Sequence, residues 1–176
     1  MLLKPILLMT LFIALPFATS LAAPAPEPVP GCNTAESRQF DFWVGDWKAT
    51  WEQDKSGFNR ITKTHNGCVI REEFNGAPGS PLIGTSLSTY DSQRKKWKQT
   101  WVDNYASYLD FEGAFRDGKM ILSRAATKNG KPTVQRMVWY NIEKGSFDWN
   151  WEASEDQGKT WKVNWKIHYT RTGIAN

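Results

Sequence analysis

The sequence predicts an all-β protein: a ten-stranded antiparallel up-and-down barrel with one short N-terminal helix. Three observations predict it. Turn signals recur at Asp54–Gly57, Asn66-Gly67, Asn75–Ser80, Asp91–Lys95, Asp103–Ala106, Asp117-Gly118, Lys128–Lys131, Glu143–Gly145 and Glu155–Gly158. Asn-Gly and Asp-Gly are strong hairpin pairs, because a type I′ turn needs positive φ at both central residues. Second, the segments between turns alternate apolar and polar residues, the pattern of a sheet with one dry and one wet face. Third, ten strands joined by sequential hairpins close most easily into a barrel, which removes exposed edges.

The chain begins with features of export. Lys4 precedes an apolar run from Ile6 to Phe17, and Ser20-Leu21-Ala22 supplies small residues for cleavage after Ala22 or Ala23. Residues 1–23 therefore read as a secretory signal peptide, too short and wrongly flanked for a membrane span. Residues 24–33 form a Pro-rich linker, where repeated Pro favours polyproline II. Its VPGC ends at Cys32 like a lipoprotein box, but lies well beyond the apolar run. Residues 34–176 suit one domain. The expected location is the periplasm or the exterior.

Within the domain, Thr34–Phe42 (TAESRQFDF) has an N-cap candidate in Thr34 with Ser37 nearby, and predicts the helix as a lid or plug. Trp47, Ala49 and Trp51 then share one strand face, opposite Lys48, Thr50 and Glu52. Phe147, Trp149 and Trp151 oppose Asp148, Asn150 and Glu152. Trp161, Val163, Trp165, Ile167 and Tyr169 oppose Lys162, Asn164, Lys166 and His168.

Residues 154–161, SEDQGKTW, fit S-x-D-x-G-x-T-W and resemble the Asp-box of sialidases and other sugar-handling propellers. A propeller needs one such box per blade, and the chain has one box and no repeat. The stretch therefore reads as the turn between the last two strands. Its Ser and Asp cap backbone N–H groups, its Gly takes positive φ, and its Trp packs beneath.

Two cysteines in an exported chain predict a disulfide, Cys32–Cys68. The net charge of +4 becomes +3 without Lys4. Lys and Arg are interspersed with Asp and Glu, so no basic stripe points to nucleic acid. No later stretch is apolar enough to span a bilayer. No cofactor motif or metal-ligand spacing stands out, and oligomeric state is not readable.

Ten tryptophans are the unusual feature of composition. They are either core, each removing up to ~250 Å² from water, or the walls of a cavity that stacks on a ligand. KWKQTWVDN places Trp97, Gln99, Trp101 and Asp103 on one face. Polar groups beside two Trp suit a cavity with aromatic walls and a few polar contacts. The alternative puts Asp103 in the turn and bonds Gln99 to a neighbouring strand. Glu72 and Glu73 point to opposite faces, and Glu73 is read as the inward one. Arg136, between Val134 and Val138 and followed by Tyr140, is a second inward candidate. It suits a carboxylate ligand or an internal Glu–Arg pair. Tyr90 follows Ser86 and Ser88 on one face, where small residues leave room. The expected ligand-binding set is thus Trp47, Glu73, Tyr90, Gln99, Trp101, Asp103 and Arg136.

FDFWVGDW, NGCVIREEFNG, YDSQRKKWKQTWVDN and SEDQGKTW together resemble the bacterial family called domain of unknown function 1579, from about Phe40 to Arg171. The resemblance implies a lipocalin-like (calycin) barrel and no particular reaction. Gly45-Asp46-Trp47 is also similar to the lipocalin G-x-W start, without later lipocalin motifs.

The leading functional expectation is an exported protein holding a small apolar or aromatic molecule in its barrel. One alternative is an isomerase or hydrolase using Glu73 and Asp103 as acid and base. Another is a filled barrel with a structural or protein-binding role. A haem barrel resembling nitrobindin is disfavoured, because His168 falls on the Lys-rich face.

Overall fold

The structure is a computed structural model, and it describes residues 32–173. The expected signal peptide (1–23), linker residues 24–31 and residues 174–176 lie outside that range. Ten strands form a closed antiparallel barrel, each hydrogen-bonded to its neighbours in sequence, with the last strand returning to the first. They are β1 (Gly45–Trp51), β2 (Lys55–Thr64), β3 (Val69–Asn75), β4 (Ile83–Asp91), β5 (Lys96–Asp103), β6 (Tyr108–Arg116), β7 (Lys119–Lys128), β8 (Lys131–Tyr140), β9 (Ser146–Ser154) and β10 (Lys162–Arg171). The β1–β10 seam pairs Trp47 with Arg171 and Ala49 with Tyr169.

All nine expected turns are present, with shifted edges. Asp117-Gly118 and Asn129-Gly130 have positive φ at both residues, as type I′ turns require. The first turn differs from expectation. It comprises Glu52–Asp54, and Gly57 lies inside β2. Gly57 is needed for close approach: a Cβ there would sit 2.5 Å from Asn75 O and 2.9 Å from Gly76 Cα. The SEDQGKTW turn has the expected geometry. Ser154 Oγ accepts from Gly158 N (2.7 Å), Asp156 accepts from Thr160 N (2.9 Å) and Thr160 Oγ1 (2.6 Å), and Gly158 has φ +88°. Those bonds from Thr160, with one from Ser154, hold the Asp156 carboxyl down at about 2.

The short N-terminal helix takes the form of two 3-10 turns, Glu36–Arg38 and Asp41–Trp43. The N-cap of the first is Ala35, one residue later than the expected Thr34, and Thr34 Oγ1 accepts from Ser37 N at 3.2 Å. Residues three apart eclipse in 3-10 geometry, which aims Phe40 and Trp43 together into the barrel. Both are buried, and Phe40 meets Trp97 and Trp139 edge-on at 4.9 and 5.2 Å. This segment closes one end. The topology puts the β1–β2, β3–β4, β5–β6, β7–β8 and β9–β10 connections at the other end, the mouth.

Arg171 fastens the closed end. Its guanidinium lies 4.1 Å over the Trp47 ring and donates to the carbonyls of Val44 (2.8 Å), Phe42 (3.2 Å) and Lys144 (3.1 Å). Gly45 has φ +139°, a backbone conformation that L side chains rarely adopt, and a Cβ there would also press on the Arg171 guanidinium, so that position favours Gly. The Cys32–Cys68 disulfide is formed, and it ties the start of the described chain to the β2–β3 turn at the same end.

One strand breaks the expected alternation. Val163 pairs with Glu152, but the next pair is Trp165 with Trp151, so Asn164 is bulged. A bulge shifts every side chain beyond it to the other face. Trp165, Ile167 and Tyr169 point inward, whereas Val163 is exposed and Trp161 packs outside on Arg136. The other nine tryptophans belong to the interior cluster or pack against it.

Replacing both cysteines by Ser is expected to cost about 3–4 kcal/mol of stability, from the loop the disulfide closes in the unfolded chain. Urea melts of variant and wild type measure this. A loss below about 1 kcal/mol would show that the constraint contributes little to this barrel.

Candidate functional site

The barrel interior is packed at the closed end and hollow towards the mouth. The hollow is a cavity of about 210 Å³. Its wall is a near-continuous series of aromatic rings. Phe74 lies between Trp101 (centroids 6.4 Å apart) and Trp165 (6.0 Å). Trp165 meets Trp149 at 5.9 Å, Trp149 meets Trp139 at 6.4 Å, and Trp139 meets Trp43 at 5.3 Å. Edge-to-face contacts dominate, which suits ring quadrupoles and holds each indole in place. Between Phe74 on β3 and Trp101 on β5, β4 contributes small residues. Gly84 and Ser86 on β4 face inward, and a Cβ on Gly84 would lie 2.1 Å from the Trp101 ring. Trp101 therefore lies flat across the Gly84 backbone.

Two carboxyl groups line the cavity, Glu72 and Asp103. Glu72 is buried among apolar residues. One of its oxygens accepts from Asn59 Nδ2 (2.7 Å) and the other from Ser86 Oγ (2.6 Å). No cation partners it among the described residues. Burial pushes its pKa up to about 7, although both hydrogen bonds oppose the rise. Tyr169 also lines the cavity; burial, and then the Glu72 charge, hold its phenol well above the ordinary range.

Asp103 stands at the mouth. It accepts from Trp101 Nε1 (2.9 Å) and from the backbone N–H groups of Tyr105 (2.9 Å) and Ser107 (3.1 Å). Burial raises its carboxyl pKa, but these bonds more than offset that and leave it below the ordinary value. Asp103 thus does two things at once: it shapes the β5–β6 turn and it orients a wall of the cavity.

Of the expected ligand-binding residues, Trp101 and Asp103 come together in this cavity. Trp47 is inward but belongs to the closed end, where its Nε1 donates to Trp43 O (2.7 Å). Tyr90 packs on Trp97 near the same end, at 5.8 Å. Gln99 is inward and bonded to Ser88 Oγ (2.9 Å), below the cavity. Glu73 is a correction. It points outward, half exposed, and pairs with Arg71 at 2.6 Å. β3 turns Ile70, Glu72 and Phe74 inward, so the neighbouring carboxylate is the buried one. Arg136 is a second correction. It lies on the outer face, bonded to Glu152 (2.6 Å) and stacked 3.7 Å over Trp161. Arg124 on β7 does share the inward face, donating to Gln135 (2.7 Å) and standing 5.9 Å from the Phe111 ring, outside the cavity wall.

Four buried polar atoms find no hydrogen-bond partner among the described residues: Trp43 Nε1, Asn59 Oδ1, Gln99 Oε1 and Arg124 Nε. Each such group carries a desolvation cost of about 1–3 kcal/mol. Trp43 belongs to the cavity lining. Both histidines are remote from the cavity. His168 pairs with Asp148 on the outer face (2.9 Å), and His65 sits in the β2–β3 turn. Among the described residues no three of His, Cys, Asp and Glu gather to hold a metal ion, and no helix is long and apolar enough to cross a membrane. A scan of family models and a search of curated proteins find no match to this chain.

Two outcomes follow from this geometry. Glu72 has a folded pKa above its unfolded value, so the native state binds more protons between about pH 4.5 and 7. Stability is then full below that window and falls as pH rises through it. Glu72→Gln should flatten this loss, gaining relative to wild type at pH 8 and not at pH 4. Thermal melts across pH check it, and parallel profiles would contradict it. Gly84→Ala should displace the Trp101 indole, at about 1–3 kcal/mol for overpacking. In a ¹H–¹⁵N spectrum the Trp101 indole N–H resonance should move far more than that of Trp47.

Proposed function

We propose that the protein is an exported binding barrel, lipocalin-like in form, that holds a small, largely apolar or aromatic molecule in its interior. One observation carries this reading: nine interior tryptophans do not fill the barrel, and the four that are only partly buried, Trp101, Trp149, Trp151 and Trp165, all line the hollow. A purely structural core would close around such rings, because interiors pack to crystal-like density. An apolar cavity of about 150 Å³ takes a benzene ring. At about 210 Å³ this one suits a molecule of one or two rings or a short acyl chain. The unpartnered Trp43 Nε1 in its lining suits a hydrogen-bond acceptor on that molecule. The disulfide supports an oxidising compartment, in keeping with the signal-like N-terminus.

A second reading has one observation behind it. Glu72, with a pKa near 7 in a shielded cavity, is poised for general acid–base work, while Asp103 in the same cavity stays ionised. This replaces the Glu73–Asp103 pair, since Glu73 lies outside. Binding is the prior step in either case.

Wild-type protein should show saturable binding of a hydrophobic fluorescent dye. Trp101→Ala should weaken it ten- to hundredfold, the loss of a stacking wall worth about 1–3 kcal/mol. Its melting temperature should change modestly. No saturable binding by the wild type, together with a large fall in melting temperature for the variant, would mean a filled barrel. Native mass spectrometry of protein taken from its own host is the complementary check, since a retained organic mass would identify the ligand class.

A further inference from the structure

We propose that the cavity takes a small organic cation, an amine or quaternary ammonium on an aromatic or apolar body, with the indole faces around its charge and Glu72 as its counter-ion. The proposal rests on the reading that the barrel binds a small molecule, and it names the chemistry of that molecule.

The wall of the cavity is negative in sign. The ionisable carboxyls in the cavity lining are Glu72 and Asp103, and no Lys, Arg or His is in it. Aromatic faces add to this, because the ring quadrupole is negative above the plane and attracts cations, most strongly for Trp. An anionic ligand would meet carboxylates and π faces with no cation in the wall to receive it. The inward guanidinium of Arg124 stands outside the wall, bonded to Gln135.

Glu72 is buried with no cation beside it among the described residues. Buried carboxylates are ordinarily paired with a cation, because an unpaired buried charge is costly. Glu72 has only neutral donors, Asn59 and Ser86, one on each oxygen. Each carboxylate oxygen has two lone pairs, so each retains an acceptor site. Glu72 is therefore half of an ion pair, held in place by its neighbours and facing an aromatic hollow. A ligand ammonium supplies the other half.

The pH behaviour is specific to this arrangement. The groups facing Glu72 are Asn59 on β2, Ser86 on β4 and, from β10, the Tyr169 phenol. Asp103 shares the cavity. Asn59 and Ser86 do not titrate, the phenol stays protonated, and Asp103 stays ionised. Across neutral pH only Glu72 changes charge here. A cation binds the ionised form, so its affinity rises with pH and its binding expels the Glu72 proton. A neutral ligand accepting a hydrogen bond from protonated Glu72 would show the opposite slope.

The test is isothermal titration calorimetry of the disulfide-bonded protein with three probes of similar shape: phenethylammonium, phenethyl alcohol and 3-phenylpropionate. At about pH 8 the ammonium should bind at least about tenfold tighter than the other two. Its affinity should fall about tenfold or more by pH 5.5, as the competent ionised fraction shrinks. In buffers of different ionisation enthalpy, binding near pH 6.5 should release protons. Glu72→Gln should remove the preference for ammonium over alcohol. Should that variant fail to fold, the wild-type pH slope and proton release decide alone. Equal or tighter binding of the alcohol or the propionate overturns the cation assignment and leaves the binding barrel standing. So does an ammonium affinity that falls as pH rises. Failure of all three probes and of the hydrophobic dye overturns both.

Discussion

The Arg171 guanidinium over the Trp47 ring is the contact on which the arrangement depends. The two residues are register partners across the β1–β10 seam, where the last strand closes on the first. Strand pairing alone would align the backbones there. The side chains add a cation–π contact at 4.1 Å and three hydrogen bonds to carbonyls, two of them on the segment that leads into β1. The barrel seam and the plug are therefore fastened by the same side chain. The closure is non-local, joining residues near the two ends of the described chain, and such contacts form late and at high entropic cost. The disulfide works at the same end by restraining Cys32 against Cys68.

A firmly closed end lets the opposite end stay hollow. Phe40, Trp43, Trp47, Trp97, Trp139 and Phe147 pack as buried rings around the plug and supply much of the apolar burial. The tryptophans nearer the mouth can then serve as wall. Buried polar groups lie between the two zones: Asn59, Glu72 and Ser86 in one connected set, Ser88 and Gln99 in another. Such groups weaken a core unless every atom is satisfied, and here Asn59 Oδ1 and Gln99 Oε1 are not. A protein selected for stability alone would replace them with Val or Leu. Their presence beside a cavity accords with the proposed binding role, in which stability is given up for recognition.

Much of the fold was legible in the sequence, because hairpin turns and period-two alternation are local signals. Asn66-Gly67, Asp117-Gly118 and the SEDQGKTW turn mark chain reversals through their own backbone requirements. What escaped depends on the partner strand. Gly57 looks like a turn residue, and only the approach of Asn75 and Gly76 shows that it belongs in a strand. The bulge at Asn164 moved Trp161 to the outer face, and nothing in KTWKVNWKIHY marks it, since alternation fits either register. Glu72 was discoverable. Its i±2 neighbours are Ile70 and Phe74, whereas those of Glu73 are Arg71 and Asn75, so apolar neighbours on the shared face identify the buried carboxylate. Arg136 was harder: its face carries Val134 and Val138, which look like core but share the outer face of β8. The resemblance to domain of unknown function 1579 implied a calycin-type barrel. The closed ten-stranded ring accords with a barrel, and it rests on its own register of strand pairs.

The hollow itself arises from an imbalance between opposite sides of the ring. β9 and β10 send in Trp149, Trp151, Trp165 and Tyr169, whereas β4 sends in Gly84, Ser86 and Ser88. Alternating large and small residues across a barrel usually lets them interdigitate until the volume is filled. Trp101 does so, lying flat against Gly84, and it is then held there by Asp103. The bond fixes the indole as a wall of the cavity. Asp103 is itself immobilised by the backbone N–H groups of the β5–β6 turn. A turn at the rim, a carboxylate and an indole thus form one rigid unit, and the cavity persists because the side chain best placed to fill it is tied to the rim.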